Sequence, residues 1–374
     1  MKNKKNILIC PLEWGLGHAG RMIALAEKLS DLNHNIIFGA GENLLAFLRN
    51  EIPGHTYIRF PGFRPGYSRF LPQYIVLLLK IPVLFYHIIA EHLRLKKIIT
   101  EHSVDIVISD NRFGLWNKNI RTIYITHQPL IPFPRLLSSF EFIGFRLHRQ
   151  IIRKYTLCLI PDLPGEINLT GRLTHGIELP ENVRFIGILS RFAEFPEYGS
   201  PESFDVKSRQ TGHIAVILSG PEPQRGILEK KVTGLLMNTG HRAIILGGKP
   251  HEKLSVRSSG NIIYHSHLNR HAMKNIITGS ESVITRPGYT TIMELVSLNC
   301  SALLIPTPGQ TEQEYLARYL SGKGWFKAVP QNKLNEELIL TGNMARWSKK
   351  IITESRRLLD NAIREISEQS EAEA

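Results

Sequence analysis

His18 lies in the stretch Glu13-Trp-Gly-Leu-Gly-His-Ala-Gly-Arg21, between the apolar run Asn6-Ile-Leu-Ile-Cys-Pro11 and a helical pattern that begins near Arg21. Gly15, Gly17 and Gly20 fit G-x-G-x-x-G, in which glycines let the backbone approach a pyrophosphate at a helix N-terminus. Such a cradle requires neither His18 nor Arg21. A histidine within reach of a substrate hydroxyl can take its proton, which makes His18 a candidate base; the alternative is a histidine that only braces the turn. A nicotinamide site would also need an acidic residue about 20 positions beyond the glycines. Glu42 is near enough, but that reading leaves His18 unexplained.

Three further stretches carry groups of the same kind. Leu218-Ser-Gly-Pro-Glu-Pro-Gln-Arg-Gly226 follows an apolar strand and precedes a helix, placing Ser219, Gly220 and Arg225 where a diphosphate could bind. Between Ile284 and Leu320, Arg286-Pro-Gly288 turns into a helix that opens with Thr290 and Thr291. Those hydroxyls sit where phosphate oxygens are stabilised, and Glu294, one turn on, can reach a ribose diol. The next strand ends in Pro306-Thr-Pro-Gly-Gln-Thr-Glu-Gln313, whose amides and carboxylates suit sugar hydroxyls. Finally, Asp110-Asn-Arg112 and His127-Gln128 each end a strand in the first half, so Asp110 and His127 are further candidates for the base.

The 284–320 block resembles the C-terminal donor-binding signature of GT-B glycosyltransferases. The closest resemblance is to family 28, which contains the N-acetylglucosaminyl transferase of peptidoglycan synthesis. Arg286, Gly288, Thr290, Thr291, Glu294, Leu295, Pro306, Glu312, Gln313 and Ala317 carry it. Gly15-Leu-Gly-His18 is similar to the family's first glycine-rich loop, and 218–225 occupies the place of its second, with Pro221 and Pro223 where the family has small residues. The resemblance implies a sugar moved from a nucleoside diphosphate, usually UDP, to an acceptor hydroxyl with inversion. Glu294 would hold ribose, Ser219, Gly220 and 286–291 the diphosphate, Glu312 and Gln313 the sugar, and the backbone at His267 and Leu268 the base. His18 would face them as catalytic base. It also implies no cofactor beyond the nucleotide sugar and no obligatory metal, and the chain has no D-x-D motif. A hydrolase or 2-epimerase of the same fold, and a non-enzymatic nucleotide-sugar binder, are the alternatives.

These loops need strands to hold them, and the pattern supplies them. Short β-branched runs alternate with helical periods, which predicts an α/β protein with parallel sheets. Strands are expected at 6–10, 35–38, 56–59, 105–109, 122–126, 157–160 and 183–185, then at 213–218, 243–246, 262–264, 282–284 and 302–305. A polar stretch near 190–211 reads as a linker. The expected organisation is two Rossmann-like, doubly wound domains facing a central cleft in a GT-B architecture. They span 1–195 (acceptor side) and 210–345 (donor side), with a helix over 346–374 packing back across them.

Composition bounds the rest. The chain has 374 residues, 43% hydrophobic and 21% charged, as in folded domains. Net charge is +13, which suits anionic partners, yet no nucleic-acid motif or basic-aromatic platform accompanies it, so no nucleic acid is expected. Cys10, Cys158 and Cys300 read as buried thiols of a cytoplasmic protein. The run before Pro11 is too short for a signal peptide. The stretch Phe70 to Lys97 is too interrupted by charge to span a bilayer. With its basic end Arg94-Leu-Lys-Lys97 it suits peripheral docking on an anionic inner-membrane face, or else a helix packed on the first sheet.

Overall fold

The computed structural model describes residues 4–64, 66, 73–192, 212–220, 222–249, 255–340, 347 and 349–368. Most of the expected linker (193–211), Pro221, the start of the 70–97 stretch and the end of the tail lie outside them.

The first sheet contains β1 (Asn6–Cys10), β2 (Asn35–Ala40), β3 (Thr56–Arg59), β4 (Ile106–Asp110), β5 (Arg121–Ile125), β6 (Leu157–Ile160) and β7 (Val183–Phe185). The second contains β8 (Ile214–Ile217), β9 (Ala243–Leu246), β10 (Val256–Ser259), β11 (Ile262–His265), β12 (Ser282–Thr285), β13 (Leu303–Leu304) and β14 (Lys327–Ala328). Their orders are β3-β2-β1-β4-β5-β6-β7 and β10-β11-β9-β8-β12-β13-β14. All pairings are parallel except β10 with β11. Strands such as β1, β4 and β8 are buried on both faces, so they read as continuous apolar runs rather than alternating ones.

The helices are α1 (Leu16–Asp31), α2 (Glu42–Glu51), α3 (Gln73–Leu79), α4 (Ile81–Glu101), α5 (Glu141–Ile152), α6 (Gln224–Thr239), α7 (Arg270–Thr278), α8 (Tyr289–Ser297), α9 (Thr311–Gly322), α10 (Glu336–Leu340) and α11 (Lys349–Ser367). β10 and β14, at the two edges of the second sheet, were not expected from sequence. Both are short and exposed, so no apolar run marks them.

Strand order reverses between β1 and β4 and again between β8 and β12, which creates a crevice at the carboxyl end of each sheet. The two crevices face each other. One apolar core runs through both halves, from Ile7 and Met22 to Ile292, Leu316 and Ile363. α11 returns to the first sheet, where Lys5 Nζ donates to the Ser367 carbonyl (2.9 Å) and His34 Nε2 lies 3.2 Å from Ser367 Oγ. Gly187 permits that return: its φ is +71°, and a Cβ there would lie 2.4 Å from Ser355 Cα.

Candidate active site

The two crevices merge into one cleft of about 1100 Å³. β1 feeds directly into α1, which starts at Leu16 and not near Arg21. Of the three glycines only Gly15, at the N-cap, needs a positive φ (+93°). Gly17 and Gly20 are both helical, and at Gly17 the small residue is needed because α1 packs on the C-terminal half. A Cβ on Gly17 would lie 3.1 Å from Thr290 Oγ1, and one on Gly20 would lie 3.7 Å from Glu294 Oε1. The fingerprint thus marks a contact between helices of the two domains. His18 and Arg21, three residues apart, project from one face of α1.

Arg21 is fully buried and is the hub of the N-terminal side. Its Nε donates to Asp110 Oδ2 (3.1 Å), and its Nη2 reaches Asp110 Oδ1. Its Nη1 lies 3.1 Å from His127 Nδ1. His18 Nδ1 lies 2.9 Å from Asp110 Oδ2 and 2.9 Å from Arg21 Nη2. His18 Nδ1 thus faces a carboxylate that can only accept and a guanidinium that can only donate; because Arg21 Nη2 already donates to Asp110 Oδ1, we place the His18 proton on Nδ1 toward Asp110, which leaves Nε2 for the cleft. Burial alone would raise the Asp110 carboxyl, but Arg21 and His18 outweigh it and hold it below its ordinary value.

The three candidates for the base are therefore placed differently. His18 lines the cleft. Asp110 has no exposed surface and sits behind His18 as its orienting carboxylate, so it does not face a substrate. His127 is only 3% exposed, and both its nitrogens are engaged, Nδ1 by Arg21 and Nε2 by Glu312 Oε1 at 2.8 Å. Burial lowers His127 below the ordinary imidazole value. Tyr289 stacks on it with ring centroids 4.5 Å apart.

On the C-terminal side, α8 begins at the end of β12. Its N-cap, Gly288, makes no side-chain capping bond, and no acidic residue occupies its first turn. Its amides, with Thr290 and Thr291, open into the cleft beside Ser219 and Gly220. Glu294 lies one turn further along the same face. Its burial raises the carboxyl, and Arg191 opposes that by donating Nε to Oε1 at 2.9 Å. Arg191, at the start of the expected linker, was missed by sequence reasoning; its cue would have been the pairing with Glu294, which only the fold reveals. His267 and Leu268 follow β11 at the cleft wall, and Glu312 and Gln313 sit in the first turn of α9. Gln313 Oε1 accepts from the Thr307 amide (2.9 Å) and so stiffens its own loop.

Two expected diphosphate contacts are corrected. Arg286 is 1% exposed and faces away from the cleft. It donates to the carbonyls of Ile305, Pro306 and Gln224 at 3.0 Å and to Gln331 Oε1 at 2.6 Å, tying three loops together from behind. Arg225 borders the cleft, but its guanidinium is held by Glu222, by Glu229 at 2.9 Å and by the Gly247 carbonyl at 3.1 Å. Local sequence places an arginine after a strand but does not say to which side its fork turns.

One arm of the cleft runs into the N-terminal domain between α3/α4 and the 131–137 segment. Its walls are apolar, with Leu77, Ile81, Leu84, Ile131 and Phe133 among them. The outer face of α4 exposes Phe85, Tyr86, Ile89 and Leu93, and α5 with the residue before it exposes Phe140, Ile143 and Leu147. Further along α4, Leu95 and Ile98 are buried against the first sheet, as the packed-helix reading of this stretch expects. Among the described residues, no helix is long and apolar enough to cross a membrane.

Comparison with known proteins bears on this arrangement. Residues 229–369 match the family model of the glycosyltransferase family 28 C-terminal domain. An uncharacterised glycosyltransferase of Methanosarcina mazei is 24% identical over 333 residues, 84% of this chain and 83% of that protein. A Desulforudis audaxviator UDP-N-acetylglucosamine--N-acetylmuramyl-(pentapeptide) pyrophosphoryl-undecaprenol N-acetylglucosamine transferase is 30% identical over 96 residues, 25% of each chain. In fold, the glycosyltransferase of kitacinnamycin superposes with a TM-score of 0.60 at 12% identity, over 98% of this chain and 96% of that one. SnogD, a glycosyltransferase from Streptomyces nogalater, gives 0.56 at 14% identity, over 98% and 93%.

Proposed function

We propose that this chain, whose residues 229–369 match the family 28 C-terminal domain and whose fold is GT-B, is a family 28 glycosyltransferase that transfers a sugar from UDP to a hydroxyl of an apolar, membrane-borne acceptor, with inversion at the anomeric carbon. The observation that carries the reading is the His18–Asp110 pair on one crevice, facing an uncapped helix N-terminus on the other. The acceptor oxygen attacks the anomeric carbon as its proton passes to His18 Nε2, and Asp110 stabilises the imidazolium that forms. The bond from that carbon to the diphosphate oxygen breaks on the opposite face. Negative charge then develops where the α8 amides, Thr290 and Thr291 point, in a site that needs little reorganisation at that moment. This is the work that a metal ion does on other folds, and we assign it here to the helix terminus. Glu294 holds the ribose, with Arg191 as its counter-ion. Ser219 and Gly220 complete the diphosphate site, His267 and Leu268 flank the base, and Glu312 and Gln313 meet the sugar.

The apolar arm and the exposed faces of α4 and α5 support the acceptor half of the proposal. With a net charge of +13, such helices bind anionic membrane surfaces by combining buried apolar area with electrostatic attraction. The first test is calorimetric titration with UDP, GDP, TDP and CDP. UDP alone should bind well, and Glu294→Gln should weaken it by about 10-fold, as expected for a lost hydrogen bond to a charged group. UDP release from UDP-sugars should then require vesicles carrying acceptor lipids. Release at the same rate with no acceptor would instead mark a hydrolase or epimerase of this fold.

A further inference from the structure

α9 presents one face to the N-terminal domain along its length. Glu312, Tyr315 and Tyr319, at helical spacing, meet His127, the amide of Arg172 (2.7 Å from Tyr315 Oη) and Asn168 Oδ1 (2.9 Å from Tyr319 Oη). The loop that offers Asn168 and Arg172 is fixed by Asp162, which accepts from the Leu163, Leu169 and Thr170 amides at 2.8–2.9 Å. At the start of α8, Tyr289 lies flat on His127 and donates its hydroxyl to the Pro161 carbonyl (2.7 Å). The position of Glu312 is thus set from the opposite domain.

The tautomers follow from the partners. Arg21 can only donate, so His127 Nδ1 must accept, which leaves its proton on Nε2 for Glu312 Oε1. Arg21 in turn shares Asp110 with His18. We propose that Glu312–His127–Arg21–Asp110–His18 is a positioning relay, through which the sugar-facing carboxylate of the C-terminal domain orients the base in the N-terminal domain. It rests on the reading of His18 as base and goes beyond it. His127 and Arg21 touch no reacting atom in this scheme; they hold the dyad in register with the donor loop. A donor sugar whose hydroxyls donate to Glu312 acts on the same carboxylate that His127 holds, so loading of one domain is felt at the base of the other.

The relay is testable without any ligand, by nitrogen NMR of the ¹⁵N-histidine-labelled protein. In the native chain His127 shows the Nε2–H tautomer and neutral His18 the Nδ1–H tautomer. Glu312→Ala, four contacts from His18 along the relay, shifts His18 toward a mixture of tautomers. His127→Asn keeps an acceptor for Arg21 but loses the donor to Glu312, and His127→Gln does the reverse. Each lowers turnover by up to about 100-fold, as expected for a misplaced reacting group, and leaves UDP affinity unchanged. A His18 tautomer untouched by Glu312→Ala and by both His127 variants overturns the relay. Failure of the native chain to bind UDP would overturn the donor assignment and leave the tautomer result standing.

Discussion

On the β1/β4 side of the cleft the most deeply buried arginine is Arg21, surrounded by Asp110, His18 and His127. On the β8/β12 side it is Arg286, whose hydrogen-bond partners are carbonyls and one glutamine amide. Arg21 lies in α1 just after β1, and Arg286 in the turn from β12 to α8, each beside a point where strand order reverses. Arg21 has a carboxylate to balance it and two imidazoles to organise. Burial with no balancing carboxylate among these partners pushes Arg286 down to about 10. One arginine organises the proposed base and the other splices loops. In the proposed scheme the N-terminal half works through side chains, whereas the C-terminal half offers a ligand mainly amides, hydroxyls and Glu294.

The sharpest way to break this contrast is to remove the imidazole. His18→Ala should lower turnover by about 10²- to 10⁴-fold, the range of general base catalysis, with UDP affinity intact. Steady-state rates beside calorimetric UDP titration separate the two effects, and near-normal turnover would dismiss the assignment of the base. Arg286→Met is the counterpart. It strands buried carbonyls and should cost about 3 kcal/mol of stability in urea denaturation. Where the protein stays folded, UDP should bind as before. A selective loss of UDP affinity would return Arg286 to the diphosphate.

A milder test probes how the N-terminal half is held. His148 on α5 contacts the Pro129 carbonyl through Nδ1 (3.0 Å) and Tyr124 Oη through Nε2 (2.9 Å), two residues beyond the His127 loop. Burial lowers it from 6.5 to about 4. Between those values the unfolded chain binds a proton that the folded chain refuses. Stability is therefore full above about pH 6.5 and falls as pH drops toward 4. At pH 5 the loss from this group is about 2 kcal/mol. Urea midpoints at pH 7 and pH 5 should differ accordingly, and His148→Gln should flatten that difference.

Much of this was legible in the sequence, and what was not has a common cause. Buried parallel strands are continuous apolar runs, so β1, β4, β8 and β12 fall within a residue or two of expectation, and with them the four loops of the cleft. Residue types suited to the proposed base, ribose and phosphate contacts stand out because they follow strand ends. Contacts across the domain boundary leave no local mark. Arg191 sits in what reads as linker, and its partner is over a hundred positions away. Gly17 reads as a turn because a turn is the commonest local reason for glycine, when the reason here is another helix.

That last point yields the smallest expected effect and the one most specific to the boundary between the two halves. In an isolated helix Gly17→Ala is favourable by about 1 kcal/mol. Here the new methyl would lie 3.1 Å from Thr290 Oγ1 and 3.2 Å from Thr290 Cβ, tight enough to press α1 and α8 apart. The two effects act on different quantities. Melting temperature should hold or rise slightly, because the helix of the N-terminal domain gains. Turnover should fall several-fold, because a shift of a few tenths of an ångström separates His18 from the α8 terminus. Small-angle scattering should show a slightly more open molecule. Gly17→Ala combined with Thr290→Ala removes the clash and should restore the compact form, even though it also removes a hydroxyl from the proposed phosphate site. A turn-only role for Gly17 predicts a different pair of results: a lower melting temperature, and no recovery when the residue across the cleft is trimmed.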